Sequence, residues 1–118
     1  MHVSRLLVAA CIVVACGGDS DDSTGPGSGG PPGPTATVQA NNQLQFTPNP
    51  VSVLVGGTVT FAFAATAHNV FFDATAGAPA NIPGNNANVS ISRTFPTAGS
   101  FRYECQIHPG MSGRVNVQ

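Results

Sequence analysis

Cys105, His108 and Met111 stand in the stretch CQIHPGMSG, residues 105–113, each separated from the next by two residues. A thiol, an imidazole and a thioether in one short loop are soft or borderline metal donors that a chain reversal can turn towards a single point. Pro109 and Gly110 supply that reversal, the proline by limiting its own backbone and the glycine by tolerating φ > 0. His68, in HNVFFD, is the other imidazole of the same region, since His2 lies at the extreme N-terminus. Two imidazoles and a thiolate with a weak axial thioether form the donor set of a blue-copper electron-transfer centre. Zinc also accepts one thiolate and two imidazoles, but it gains little from a thioether and more often takes further Cys, His or carboxylate ligands; copper is therefore favoured.

The cysteines support the same chemistry. Cys11 and Cys16 fall in the N-terminal apolar stretch, so Cys105 has no partner for a disulfide within the rest of the chain. An unpaired thiol in an exported domain is either a buried inert side chain or a metal ligand, and the neighbours of Cys105 favour the second.

Export is read from the first residues, MHVSRLLVAACIVVA, in which Arg5 precedes an apolar run too short to span a bilayer. VVAC, ending at Cys16, resembles the lipobox of bacterial lipoproteins, which implies acylation of Cys16 as the new N-terminus; an ordinary secretory signal cleaved elsewhere is the alternative. Residues 1–15 are thus expected to be a lipoprotein signal peptide. Residues 16–35, GGDSDDSTGPGSGGPPGPT after the cysteine, contain no large apolar side chain and are expected to form a disordered tether.

A chain of 118 residues with 42% hydrophobic and 8% charged side chains accommodates one small domain. Beyond residue 35 the charges are Arg93, Arg102 and Arg114 against Asp73 and Glu104, with no lysine. That excludes an electrostatic footprint for nucleic acid. TATVQA, VSVLV, VTFAFAA, NVFF, NVSISRTF, FRYEC and GRVNVQ alternate in the period of strands and are separated by Pro-, Gly- or Asn-bearing stretches such as TPNP, GG, IPGNN and PTAGS. The expected fold is all-β, a β-sandwich of about seven to eight strands over residues 36–118. Val59, Phe61 and Phe63 are expected to share a core face, as are Val89 and Ile91, then Phe101, Tyr103 and Cys105, then Val115 and Val117.

Across almost all of this region the chain resembles the cupredoxins, in particular their plastocyanin and amicyanin group. QFTPNPVSVLVGGTVTFAF is similar to the family's paired strands, HNVFFD to its first-histidine segment and PTAGSFRYECQIHPGMSGRVNV to its final hairpin. The resemblance implies a Greek-key sandwich with one blue-type copper at one end, bound by His68, Cys105 and His108 with Met111 axial. It further implies that Asn69 supports the site from outside the ligand shell, its backbone N–H donated to the cysteine sulfur and its side chain tying two loops together; a turn asparagine is the alternative.

The function so implied is electron transfer rather than enzymatic turnover, because no second histidine cluster, triad or carboxylate pair accompanies the site. Copper binding or delivery in the cell envelope is the alternative function, and a metal-free sandwich a third. Expected partners are redox proteins such as c-type cytochromes or membrane oxidoreductases, met by a monomer held on the membrane through its lipid in a periplasmic or other extracytoplasmic space. Glu104 stands before the cysteine where plastocyanins often carry an aromatic residue, and acidic clusters are absent from residues 36–118. Transfer is therefore expected at the edge of His108, among Ile107, Pro109 and Gly110.

Overall fold

The computed structural model describes residues 32–118; the expected signal peptide, Cys16 and most of the expected tether lie outside the described residues. Eight strands follow one another: β1 (Gly33–Ala40), β2 (Phe46–Thr47), β3 (Val51–Phe63), β4 (His68–Phe72), β5 (Ile82–Asn86), β6 (Val89–Phe95), β7 (Gly99–Glu104) and β8 (Ser112–Val117). Pairing runs in the order β2-β1-β3-β8-β7-β4-β5, and β6 pairs with β3 off this path.

The path closes into two layers because β3 serves both. Its first residues, Val51–Val53, run parallel to Val115–Val117 of β8, whereas Thr58–Phe63 run between β1 and the antiparallel β6. VSVLV and VTFAF, expected as two strands around a GG turn, are thus one strand. Gly56 has φ 83°, which bends the chain without reversing it. At Gly57 a Cβ would collide with Val53 and with the carbonyl oxygens of Leu54 and Pro34, so only glycine permits the change of layer.

Strand alternation puts the apolar side chains between the layers. Val38, Val59, Phe61, Phe95, Phe101, Tyr103 and Val115 are fully or nearly fully buried. Tyr103 of β7 meets Phe61 of β3 and Phe46 of β2 edge-on, with ring centroids 5.3 and 4.8 Å away, and Phe72 of β4 meets Phe61 at 6.2 Å. Each such side chain contributes about 1.5–3 kcal/mol by leaving water.

Three expectations change. TPNP and IPGNN read as turns in the sequence, but Thr47 of TPNP ends β2 and IPGNN is β5, each a short pairing with two register partners. Val89, expected in the core, is 46% exposed, and Ile91 is only partly buried. Val89 forms the last rung of β6 against Phe63, beside Asn88 at φ 58°, and burial along that face rises only towards Phe95. Finally, β1 begins at Gly33, which pairs with Val53, so regular structure starts before residue 36.

Arg93 fastens one open edge of the sandwich. Its Nε donates to the carbonyl of Ala80 at 2.8 Å and its Nη2 to that of Asn81 at 2.9 Å. The Asn81 side chain in turn accepts from the Phe72 amide at 2.8 Å. The segment between β4 and β5 is thereby strapped to β6 on one side and β4 on the other.

Candidate metal centre

The link between β7 and β8 is the CQIHPGM loop, and its neck is closed by the backbone. The Cys105 amide donates to the Met111 carbonyl at 2.9 Å, and the Met111 amide donates to the His108 carbonyl at 3.1 Å. Gly110 takes φ 92° in the turn, with open space around its Cα. Two residues on either side of His108 therefore bring Cys105 and Met111 to opposite sides of one neck with His108 near the tip. Cys105 and Met111 are buried, 2% and 4% exposed, while His108 keeps an exposed edge.

His68 enters from β4 and is fully buried. Its Nε2 donates to the backbone carbonyl of Asn41 at 2.8 Å, which leaves Nδ1 as the free lone pair. Asn41 is itself fixed, because its Oδ1 accepts from the amides of Gln43 and Gln45, each at 3.0 Å. Asn42 accepts from the Thr66 amide, 3.0 Å away, two residues before the histidine. This asparagine pair was missed at the level of sequence. Its signal was the NN dipeptide directly after a strand, a turn signature of the Asx kind.

The three donors converge. His68 Nδ1 lies 3.2 Å from His108 Nδ1 and 3.9 Å from Cys105 Sγ, and His108 Nδ1 lies 3.6 Å from the sulfur. A point equidistant from all three is about 2.1 Å from each, the length of a metal–imidazole bond and slightly less than a metal–thiolate bond. No carboxylate joins them among the described residues. Glu104 points the other way and shares Arg102 with Asp73, both contacts being 3.2 Å. Two imidazole nitrogens and one cysteine sulfur, with a buried thioether on the adjoining neck, are a soft to borderline donor set that fits copper.

Asn69 bridges the two donor segments. Its amide points at Cys105 Sγ over 3.5 Å, and its Oδ1 accepts from the Gln106 amide at 2.7 Å. On the other side of the loop an open groove of about 320 Å³ is lined by Leu44, Phe46, Asn49 and Met111 among others. Leu44, which lines that groove, and Ile107 of the loop are exposed large apolar side chains, 43% and 38% respectively.

Comparison with known proteins agrees with this geometry. The family of copper binding proteins described as plastocyanin/azurin matches residues 34–118. Plastocyanin of Scenedesmus fuscus is 37% identical over 90 residues, covering 64% of this chain and 88% of that protein. Chloroplastic plastocyanin of Physcomitrium patens is 37% identical over 86 residues, 63% of this chain; there the chain spans about half of the relative, 51%. Among solved structures, an amicyanin mutant in its reduced Cu(I) form superposes with a TM-score of 0.61 at 30% identity, over 71% of this chain and 82% of the amicyanin. A copper-containing nitrite reductase from Thermus scotoductus superposes at 0.58 and 26% identity, but over 22% of its own chain. With its all-β sandwich, its triangle of two nitrogen donors and one sulfur, and these relatives, the chain belongs to the plastocyanin/azurin family of copper proteins, the cupredoxins.

Proposed function

We propose that the protein is a one-electron carrier in which His68, Cys105 and His108, with Met111 as a fourth and weaker donor, would hold copper. The observation that carries this reading is the donor triangle, with edges of 3.2, 3.6 and 3.9 Å, already formed by the folded chain. Copper bound there supplies the Cu(I)/Cu(II) couple. The chain supplies a fixed frame for it. The Asn41 carbonyl keeps the proton of His68 on Nε2, and the backbone bond between Cys105 and Met111 holds the loop neck whichever charge the centre carries. Little rearrangement then accompanies transfer, which is what a carrier needs.

His108 offers the exit. Its ring reaches the surface among Ile107, Pro109 and Gly110, all exposed and uncharged. A small patch of this kind suits brief encounters with redox proteins such as c-type cytochromes or membrane oxidoreductases rather than lasting complexes. The lipobox-like VVAC supports a domain tethered to the outer side of a bacterial membrane through acylated Cys16, in the periplasm or its equivalent.

Loading the metal-free protein with Cu(II) tests the carrier reading. An intense visible thiolate-to-copper band is expected, abolished by Cys105→Ser, with copper retained against a chelator through repeated reduction and reoxidation. A colourless product overturns the reading, and release of copper at each reduction replaces it with delivery. For the tether, Cys16→Ser is expected to move the protein out of the detergent phase or leave an unprocessed precursor; unchanged partitioning removes the lipid anchor.

A further inference from the structure

We propose that Asn86 is a positioning residue that sets the hydrogen bond received by the Cys105 sulfur, although it touches no ligand atom. The inference rests on the reading of Cys105 as a copper ligand. The peptide unit between His68 and Asn69 is occupied at both ends. Its oxygen, the carbonyl of His68, accepts from Asn86 Nδ2 at 3.0 Å, and its N–H, on Asn69, points at Cys105 Sγ over 3.5 Å. A trans peptide is a rigid plane with oxygen and hydrogen at opposite ends, so a side chain that holds the oxygen also aims the hydrogen.

The strand ladders beside that plane are short. β5 pairs with β4 only at His68 with Asn86 and at Val70 with Ile82, with a break in register between them. On the opposite side, β7 pairs with β4 at Phe71 and Phe72, beyond the carbonyl in question. The Asn86 side-chain amide reaches the His68 carbonyl at one of the two rungs of this short ladder. Its second contact, to the Pro83 carbonyl at 3.2 Å, braces it across the irregular stretch of β5. Gly84, at φ 93°, lets that stretch loop out so that Asn86 returns to face His68.

The consequence falls on the sulfur. A hydrogen bond draws electron density from a thiolate, weakens its donation to an oxidised metal and so favours the reduced state. Releasing the peptide plane weakens that bond.

The test compares the full chain with Asn86→Leu, which keeps bulk and deletes the donor, and with Asn86→Ala should the larger side chain fail to fold. Asn85→Ala, at the exposed neighbouring position, is the control. In the metal-free proteins, hydrogen exchange of the Asn69 amide is expected to accelerate about tenfold in the Asn86 variants, the effect of losing one local hydrogen bond. Exchange at Val59, in the middle of β3, stays unchanged. In the copper-loaded proteins the thiolate band moves to longer wavelength and the reduction potential falls, while Asn85→Ala moves neither. An unmoved Asn69 amide with an unmoved band overturns the proposal. Equal acceleration at Asn69 and Val59 also overturns it, because that describes general destabilisation. Should the natural protein show no thiolate band, the ligand reading fails instead, and exchange in the metal-free protein alone decides the role of Asn86.

Discussion

The hydroxyl of Tyr103 lies against the bare Cα of Gly113, its cross-strand partner between β7 and β8, and any Cβ at Gly113 would collide with that phenol ring. The same hydroxyl is buried without a hydrogen-bond partner. Tyr103→Phe is therefore expected to leave stability unchanged or raise it by about 1 kcal/mol, since an unsatisfied buried group costs more than its replacement by hydrogen. Gly113→Ala should cost about 1–3 kcal/mol through overpacking, and part of that cost should vanish in the double variant. Denaturant melts of the four proteins complete the cycle.

Alkaline pH gives an independent reading of the same residue. Burial raises the Tyr103 phenol well above its ordinary value of 10.0, so the folded state keeps the proton where the unfolded chain has begun to lose it. The unfolded state binds fewer protons there, and stability falls as pH rises above about 10. Below that value the group contributes no slope. Tyr103→Phe should flatten the alkaline decline, which thermal melts between neutral and alkaline pH would register.

On the proposed ligand set, Met111 and Cys105 divide the properties of the centre between them. Met111→Leu is expected to keep the colour and raise the potential, because losing a donor to Cu(II) makes Cu(I) easier to form. Met111→Gln should lower it, a harder oxygen favouring Cu(II). Voltammetry and visible spectra of the two variants, set beside colourless Cys105→Ser, separate an axial donor from a core filler: for a core filler, both substitutions would leave the potential in place.

Arg93→Ala should destabilise the sandwich by about 0.5–1.5 kcal/mol by removing the donor shared by the exposed Ala80 and Asn81 carbonyls. Arg93→Lys should recover little, because a compact ammonium cannot reproduce the guanidinium fork. Neither substitution should shift the potential. Melting curves and voltammetry together distinguish this strap from any role at the metal.

Removal of the N-terminal segment probes where the fold begins. A protein starting at residue 32 is expected to match the full chain in melting temperature. One starting at Ala36 loses the pairing of Gly33 with Val53 and the approach of Pro34 to Gly57, and should melt a few degrees lower.

Much of this arrangement was legible in the chain. The alternations Val59, Phe61, Phe63 and Phe101, Tyr103, Cys105 report their buried faces directly, because side chains two apart in a strand share one side. The spacing of Cys105, His108 and Met111 likewise announces a loop closing on itself. What escaped was the work of asparagine. The side chains of Asn42, Asn81 and Asn86 each satisfy backbone groups on other segments, and a polar residue in a turn-like stretch gives no sign of which partner it will meet. β2 and β5 were hidden for the same reason: Phe46–Thr47 and Ile82–Asn86 are strands by virtue of their neighbours, not their composition. Val89 was misplaced because alternation reports a face but not where the facing layer ends.

The long strand β3 has a mechanical consequence. Since its first residues belong to the β8 layer and its last to the β1 and β6 layer, one unbroken segment of backbone carries load between the halves of the barrel-like body. Neither half can shear away while that segment stays extended, so both should be lost in a single cooperative event. A nick between Gly56 and Gly57 would break that continuity while leaving every ligand in one fragment, turning a unimolecular fold into an association whose completeness depends on concentration.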